Sequence, residues 1–129
     1  MMRNALLFLL PACLAWSVPA RANEFEQAWA CTLHTGKTLD QARAVAADWL
    51  RAARGMQGGD GLQLRIRWPI VVADSAERFE FVVQSPSLQA WGAFYDHYDP
   101  DSPAGKADAA FAEVASCSGS TLWETIAVN

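Results

Sequence analysis

The segment from Ser87 to Pro103, SLQAWGAFYDHYDPDSP, concentrates residue types that can do chemistry. His97 lies between Tyr95 and Tyr98, with Asp96, Asp99 and Asp101 around it and the pair Trp91-Gly92 just upstream. His97 and His34 are the only histidines, so acid–base work near neutral pH falls mainly to them. A general base needs a partner within hydrogen-bond reach, and no serine, lysine or free cysteine stands out as a nucleophile for either. His97 and His34 are therefore the catalytic candidates, weighed against the blander reading of solvated side chains. The aspartates suggest a metal. A calcium loop starting at Asp99 needs glycine at its sixth place and glutamate at its twelfth, where Ala104 and Ala110 stand. Aspartate, serine and proline are also ordinary turn residues. No metal site is expected. Upstream, CTLHTGKT resembles the end of a phosphate-binding loop, but the required earlier glycine is Cys31. No nucleotide site is expected either, and no motif calls for a cofactor.

Aromatic residues offer the other chemistry. A glycine inside a helix costs about 1 kcal/mol relative to alanine, so Gly92 beside Trp91 suggests that the sheet, a second subunit or a ligand approaches there. Trp68, Trp91 and Tyr95 are the residues expected to line a ligand pocket, if the protein has one. The bland alternative is core packing, the usual fate of tryptophan.

These residues must be positioned by regular elements. The stretch 25–33 alternates as a strand. Thr38 with Gln41 forms a capping-box pattern that opens a helix, whose apolar positions Leu39, Ala42, Val45, Ala46, Trp49, Leu50 and Ala53 recur at helical spacing. It ends near Gly55, and Gly58 to Gly61 makes a turn. LQLRIRW (62–68) and RFEFVVQ (78–84) alternate with period two, so each buries one face, as in an antiparallel sheet. Their polar positions Arg65, Arg67 and Glu80 suit cross-strand charge pairs. Ser85-Pro86-Ser87 starts a helix in which Leu88, Trp91 and Tyr95 form the expected buried stripe, with His97 at its polar edge. Asp99-Pro100 stops it, Ser102-Pro103 starts another, and a last strand is expected over 121–128.

The N-terminus bounds the compartment. Arg3, an apolar run to Val18, and Ala20-Arg21-Ala22 make the three-part pattern of a secretory signal. The run contains Pro11 and is shorter than the ~20 residues of a membrane span. We expect export to a periplasmic or secreted location with cleavage after Ala22, the alternative being a lipoprotein anchored at Cys13. The mature chain, 23–129, is then one domain without a membrane span. Losing Arg3 and Arg21 leaves 8 basic residues against 14 acidic ones, a formal charge of −6. An acidic chain with no basic cluster is not a nucleic-acid binder. Cleavage also leaves two cysteines, Cys31 and Cys117, which in an exported domain of this size normally pair.

The order strand, helix, strand, strand, helix, strand, with the second helix broken in two, is the ferredoxin-like α+β arrangement: a four-stranded antiparallel sheet with its helices on one face. That topology sets the last strand antiparallel beside the first, bringing Cys31 near its end to Cys117 just before the last strand. The order of elements, the short length and the aromatic helix after the third strand resemble the dimeric α/β-barrel domains, the group that includes antibiotic-biosynthesis monooxygenases and non-enzymatic relatives. The resemblance covers nearly all of the mature chain as topology, and no catalytic motif carries over. It implies a homodimer packed sheet to sheet, with a cavity between sheet and helices in each subunit. Two functions follow as expectations: an exported, self-associating binding module for a small apolar or aromatic ligand, or a small monooxygenase-like enzyme using His97 or His34.

Overall fold

A computed structural model describes residues 24–71, 77–126 and 128. The expected signal sequence, with Cys13, lies outside the described residues. The elements run β1 (Glu24–Leu33), α1 (Leu39–Arg54), β2 (Gln63–Arg67), β3 (Arg78–Ser85), α2 (Leu88–Tyr95), α3 (Pro103–Ala112) and β4 (Ala115–Thr125). The strands form one sheet in the order β2-β3-β1-β4, antiparallel at each junction. This is the ferredoxin-like α+β fold.

Local chemistry explains the first helix. The Thr38 side chain accepts from the Gln41 backbone while the Gln41 side chain accepts from the Thr38 backbone, so two helix-end donors are satisfied together. Asp40 in the first turn and Arg51 and Arg54 in the last suit the helix dipole. The buried face is small, with Ala42, Ala46 and Ala53 around the single large Trp49. Small residues let α1 sit close to α3, where Ala104 is also fully buried. Beyond α1 the chain turns through Gly58, at φ +79°, a conformation that favours glycine. A Cβ there would stand 2.5 Å from the backbone nitrogen of Phe94, so the turn packs directly on the backbone of α2.

The alternation in β2 and β3 sorts the sheet into two faces. Trp29, Cys31 and Leu33 of β1, Leu64 and Ile66 of β2, and Phe79, Phe81 and Val83 of β3 pack with the helices in one apolar core. On the other face the Glu26 carboxylate, on a residue only 8% exposed, pairs with Arg65 at 3.2 Å and with Arg67. Arg67 also reaches Glu80 at 3.3 Å, so two arginines and two glutamates of one chain neutralise each other. Trp123, opposite Glu26 in the register, stands on this outer face and is 56% exposed.

Three expectations are corrected. First, β4 covers Ala115–Thr125 rather than 121–128, so Cys117 sits inside the strand instead of before it. Ser116, Ser118, Gly119 and Ser120 are poor strand formers, but pairing with the central β1 overrides that preference. Gly119, at φ +62°, stands where the register shifts between Trp29 and Ala30, a bulge that absorbs one residue. Cys31 and Cys117 are direct cross-strand partners, joined by a disulfide with Cα atoms 4.0 Å apart. Second, α2 is capped by Ser87, whose hydroxyl accepts from Ala90 at 3.0 Å, and runs only to Tyr95. It buries Trp91 and Phe94, while Leu88 and Tyr95 are about half exposed (51% and 46%). The buried edge is thus turned from the expected stripe, because the helix leans against the Gly58 turn and α1. Third, Gly92 is exposed, and a Cβ there would meet nothing within 4 Å. The close approach inferred for Gly92 belongs to Gly58.

Candidate functional site

Between the helix-covered face of the sheet and the helices lies a cavity of about 380 Å³. The sheet contributes Trp29, Phe81, Ala115 and Cys117; α1 contributes Trp49; α2 contributes Trp91, Phe94 and Tyr95. Tyr98 follows from the turn, and Asp108, Phe111 and Ala112 come from α3. The volume falls within the usual range for small-molecule sites. Many of its wall rings are set steeply against one another, while Tyr98 is tilted less, at 46° to Phe94 and 36° to Tyr95. Trp29 and Trp91 are inclined at 63°, Trp91 and Tyr95 at 66°, and Trp49 and Phe94 at 71°. Only Trp91 and Phe94 lie nearly parallel, 5.5 Å apart at 22°.

Polar groups are few and grouped. The Tyr98 phenol donates a hydrogen bond to the Asp108 carboxylate. Burial pushes the Tyr98 phenol far above its ordinary range, and the hydrogen bond and negative charge of Asp108 push it further, so it stays neutral. Nearby Trp49 opposes this shift. Its indole N–H is buried and makes no hydrogen bond of standard geometry, so it acts on Tyr98 by proximity rather than as a full donor. Asp108 is exposed and supplies the charge among the lining residues, which include no lysine, arginine or histidine.

Of the residues singled out by sequence, Trp91 and Tyr95 line this cavity. Trp68 does not. It stacks on Phe79, with centroids 6.1 Å apart, and borders a separate, more open hollow beside Arg67, Arg78 and Glu80. His97 is exposed, its Nδ1 2.8 Å from the Ala93 carbonyl of its own helix. His34, just past β1, lies 2.7 Å from the Ser116 hydroxyl through Nε2. Neither histidine is among the lining residues. Asp99 closes a turn, its carboxylate accepting from the backbone of Asp101 at 2.8 Å and of Ser102 at 2.7 Å. Trp49, Tyr98, Asp108 and Phe111 also line the cavity, and nothing in their sequence surroundings marks them as site residues. Asp108 reaches Tyr98 only because the capped turn at 99–102 folds α3 back, and no residue spacing signals that.

No family model matches the chain, and no curated protein matches it. Among solved structures it is similar to SnoaB, a cofactor-independent oxygenase from Streptomyces nogalater, with a TM-score of 0.57 and 11% identity over 83% of this chain and 97% of that one. It is also similar to a conserved protein of unknown function from Bacteroides thetaiotaomicron, described as a possible oxidoreductase, with a TM-score of 0.52 and 8% identity over 81% of this chain and 99% of that one. At such identities the likeness is one of fold, and at that level it bears out the resemblance drawn from the order of elements. Among the described residues, no helix is long and apolar enough to cross a membrane.

Proposed function

We propose that this chain is an exported binding domain whose aromatic cavity takes a small, largely apolar ligand. The observation that carries the reading is the cavity itself: about 380 Å³ walled by rings from the sheet and all three helices, with one phenol–carboxylate pair as its polar point. Such a pocket gains affinity mainly from apolar contact and leaves little machinery for bond making. We also expect two copies to associate through their outer sheet faces. Trp123 supplies exposed apolar area there, and the pairing of Arg65 and Arg67 with Glu26 and Glu80 within one chain lets those four charges be covered as neutralised pairs. Native mass spectrometry of the mature protein tests both parts. A retained small molecule, or an added 1-naphthol held noncovalently, supports the cavity; masses for the bare monomer alone, unchanged at tenfold higher concentration, refute both parts.

The fold shared with a cofactor-independent oxygenase favours one second reading, a small monooxygenase-like enzyme. His97 and His34 are poor candidates for its base, because neither lines the cavity. Asp108 takes their place, with Tyr98 holding its carboxylate. Oxygen uptake with a phenolic aromatic, lost in Asp108→Asn, would favour the enzyme; no uptake across a panel of such phenols favours the binding domain.

A further inference from the structure

The cavity's lining is selective in charge as well as in shape. Anions are disfavoured by Asp108, by the absence of any basic residue in the lining and by the acidity of the whole chain. Aromatic ring faces carry the negative part of the ring quadrupole and attract cations. The Trp49 indole N–H is buried beside Tyr98, and the rest of that side chain is apolar ring carbon. Trp29, Trp49, Trp91 and Tyr95 reach the lining from three different elements, β1, α1 and α2. A guest therefore meets rings from several directions, with a carboxylate beside them.

Resting on the cavity being a binding site, we propose that it recognises an organic cation, a quaternary ammonium or N-methylated amine head group, through the ring faces of Trp29, Trp49, Trp91 and Tyr95 and the charge of Asp108. Methylation matters for a physical reason. A primary ammonium is strongly hydrated and needs acceptors for three N–H groups when it leaves water. The cavity offers one carboxylate, and the Tyr98 phenol already occupies part of it. A trimethylammonium group has no N–H to satisfy, spreads its charge over methyl surface and packs against rings as an apolar body does. Tyr98, held neutral by burial and by Asp108, adds no competing negative charge and keeps the carboxylate in place.

The test compares choline with 3,3-dimethylbutan-1-ol, its uncharged carbon isostere, on the intact mature protein by isothermal calorimetry. 1-Naphthol serves as a neutral aromatic control for the cavity. Choline is expected to bind about 10-fold or more tightly than the isostere, the combined worth of several cation–ring contacts and a nearby carboxylate. Asp108→Asn should weaken choline about 3- to 5-fold and leave the isostere unchanged. Equal or weaker binding of choline, with 1-naphthol still bound, overturns the cation proposal and leaves the binding-domain reading standing. Failure of all three compounds overturns both. Asp108 is exposed, so its variant should fold; if it does not, the choline–isostere comparison on the unaltered protein decides alone.

Discussion

Replacing Trp91 and Leu88 by alanine, side by side, discriminates between the buried edge of α2 seen in the structure and the stripe suggested by residue spacing. Trp91 is 6% exposed, stacks on Phe94 at 5.5 Å, and meets Tyr95 at 5.1 Å and Trp29 at 6.4 Å. Truncating a buried tryptophan costs about 3–5 kcal/mol. One side of Trp91 already faces the cavity, so fewer contacts are lost than in a solid core, and about 3 kcal/mol is the expected loss. Leu88, 51% exposed, has at most half of its transfer energy to lose, about 1 kcal/mol. Urea denaturation followed by far-UV circular dichroism is the assay, because tryptophan emission would change with the substitution itself. For an m-value of about 1.5 kcal/mol/M, Trp91→Ala should lower the midpoint by ~2 M and Leu88→Ala by under ~0.7 M. The protein must be free of ligand, since occupancy of the cavity would add its own stabilisation. Equal shifts for the two variants would refute the packing described for α2.

Three further outcomes are expected. Gly58→Ala and Gly92→Ala should move the melting temperature in opposite directions: the first forces a side chain at φ +79° into the α2 backbone and should cost more than ~1 kcal/mol, while the second fills open space on a helix and should gain about 0.5–1 kcal/mol. The raised pKa of Tyr98 makes its contribution to stability constant below its unfolded value near ~10 and lost as pH rises above that, because the unfolded chain then ionises more readily. Melting curves from pH 8 to 11 should therefore fall less steeply for Tyr98→Phe than for the unaltered protein; parallel curves would remove Tyr98 from its buried, Asp108-bonded position. Reduction of the Cys31–Cys117 disulfide, which closes an 86-residue separation, should destabilise by up to about 4 kcal/mol, measured as a thiol-dependent drop in the denaturation midpoint.

Much of the architecture was legible from residue order because its signals are local. Thr38 and Gln41 satisfy each other's backbone within one turn, so that helix start needs no tertiary information. Period-two alternation in β2 and β3 assigns Leu64, Ile66, Phe79 and Phe81 to one face and Arg65, Arg67 and Glu80 to the other, since neighbouring side chains on a strand must point oppositely. Cysteine parity and the strand order together named the disulfide. What could not be read was whatever depends on how one element leans on another. The start of β4 is written in serines and glycine, and only pairing with β1 makes it a strand. The edge that α2 buries is chosen by the turn at Gly58, because Leu88, Trp91, Phe94 and Tyr95 make an apolar arc wide enough to be buried along either edge. The cavity is the extreme case. Trp29, Trp49, Tyr98 and Asp108 come from β1, α1, a turn and α3, and their meeting is a property of packed layers that no spacing along the chain encodes.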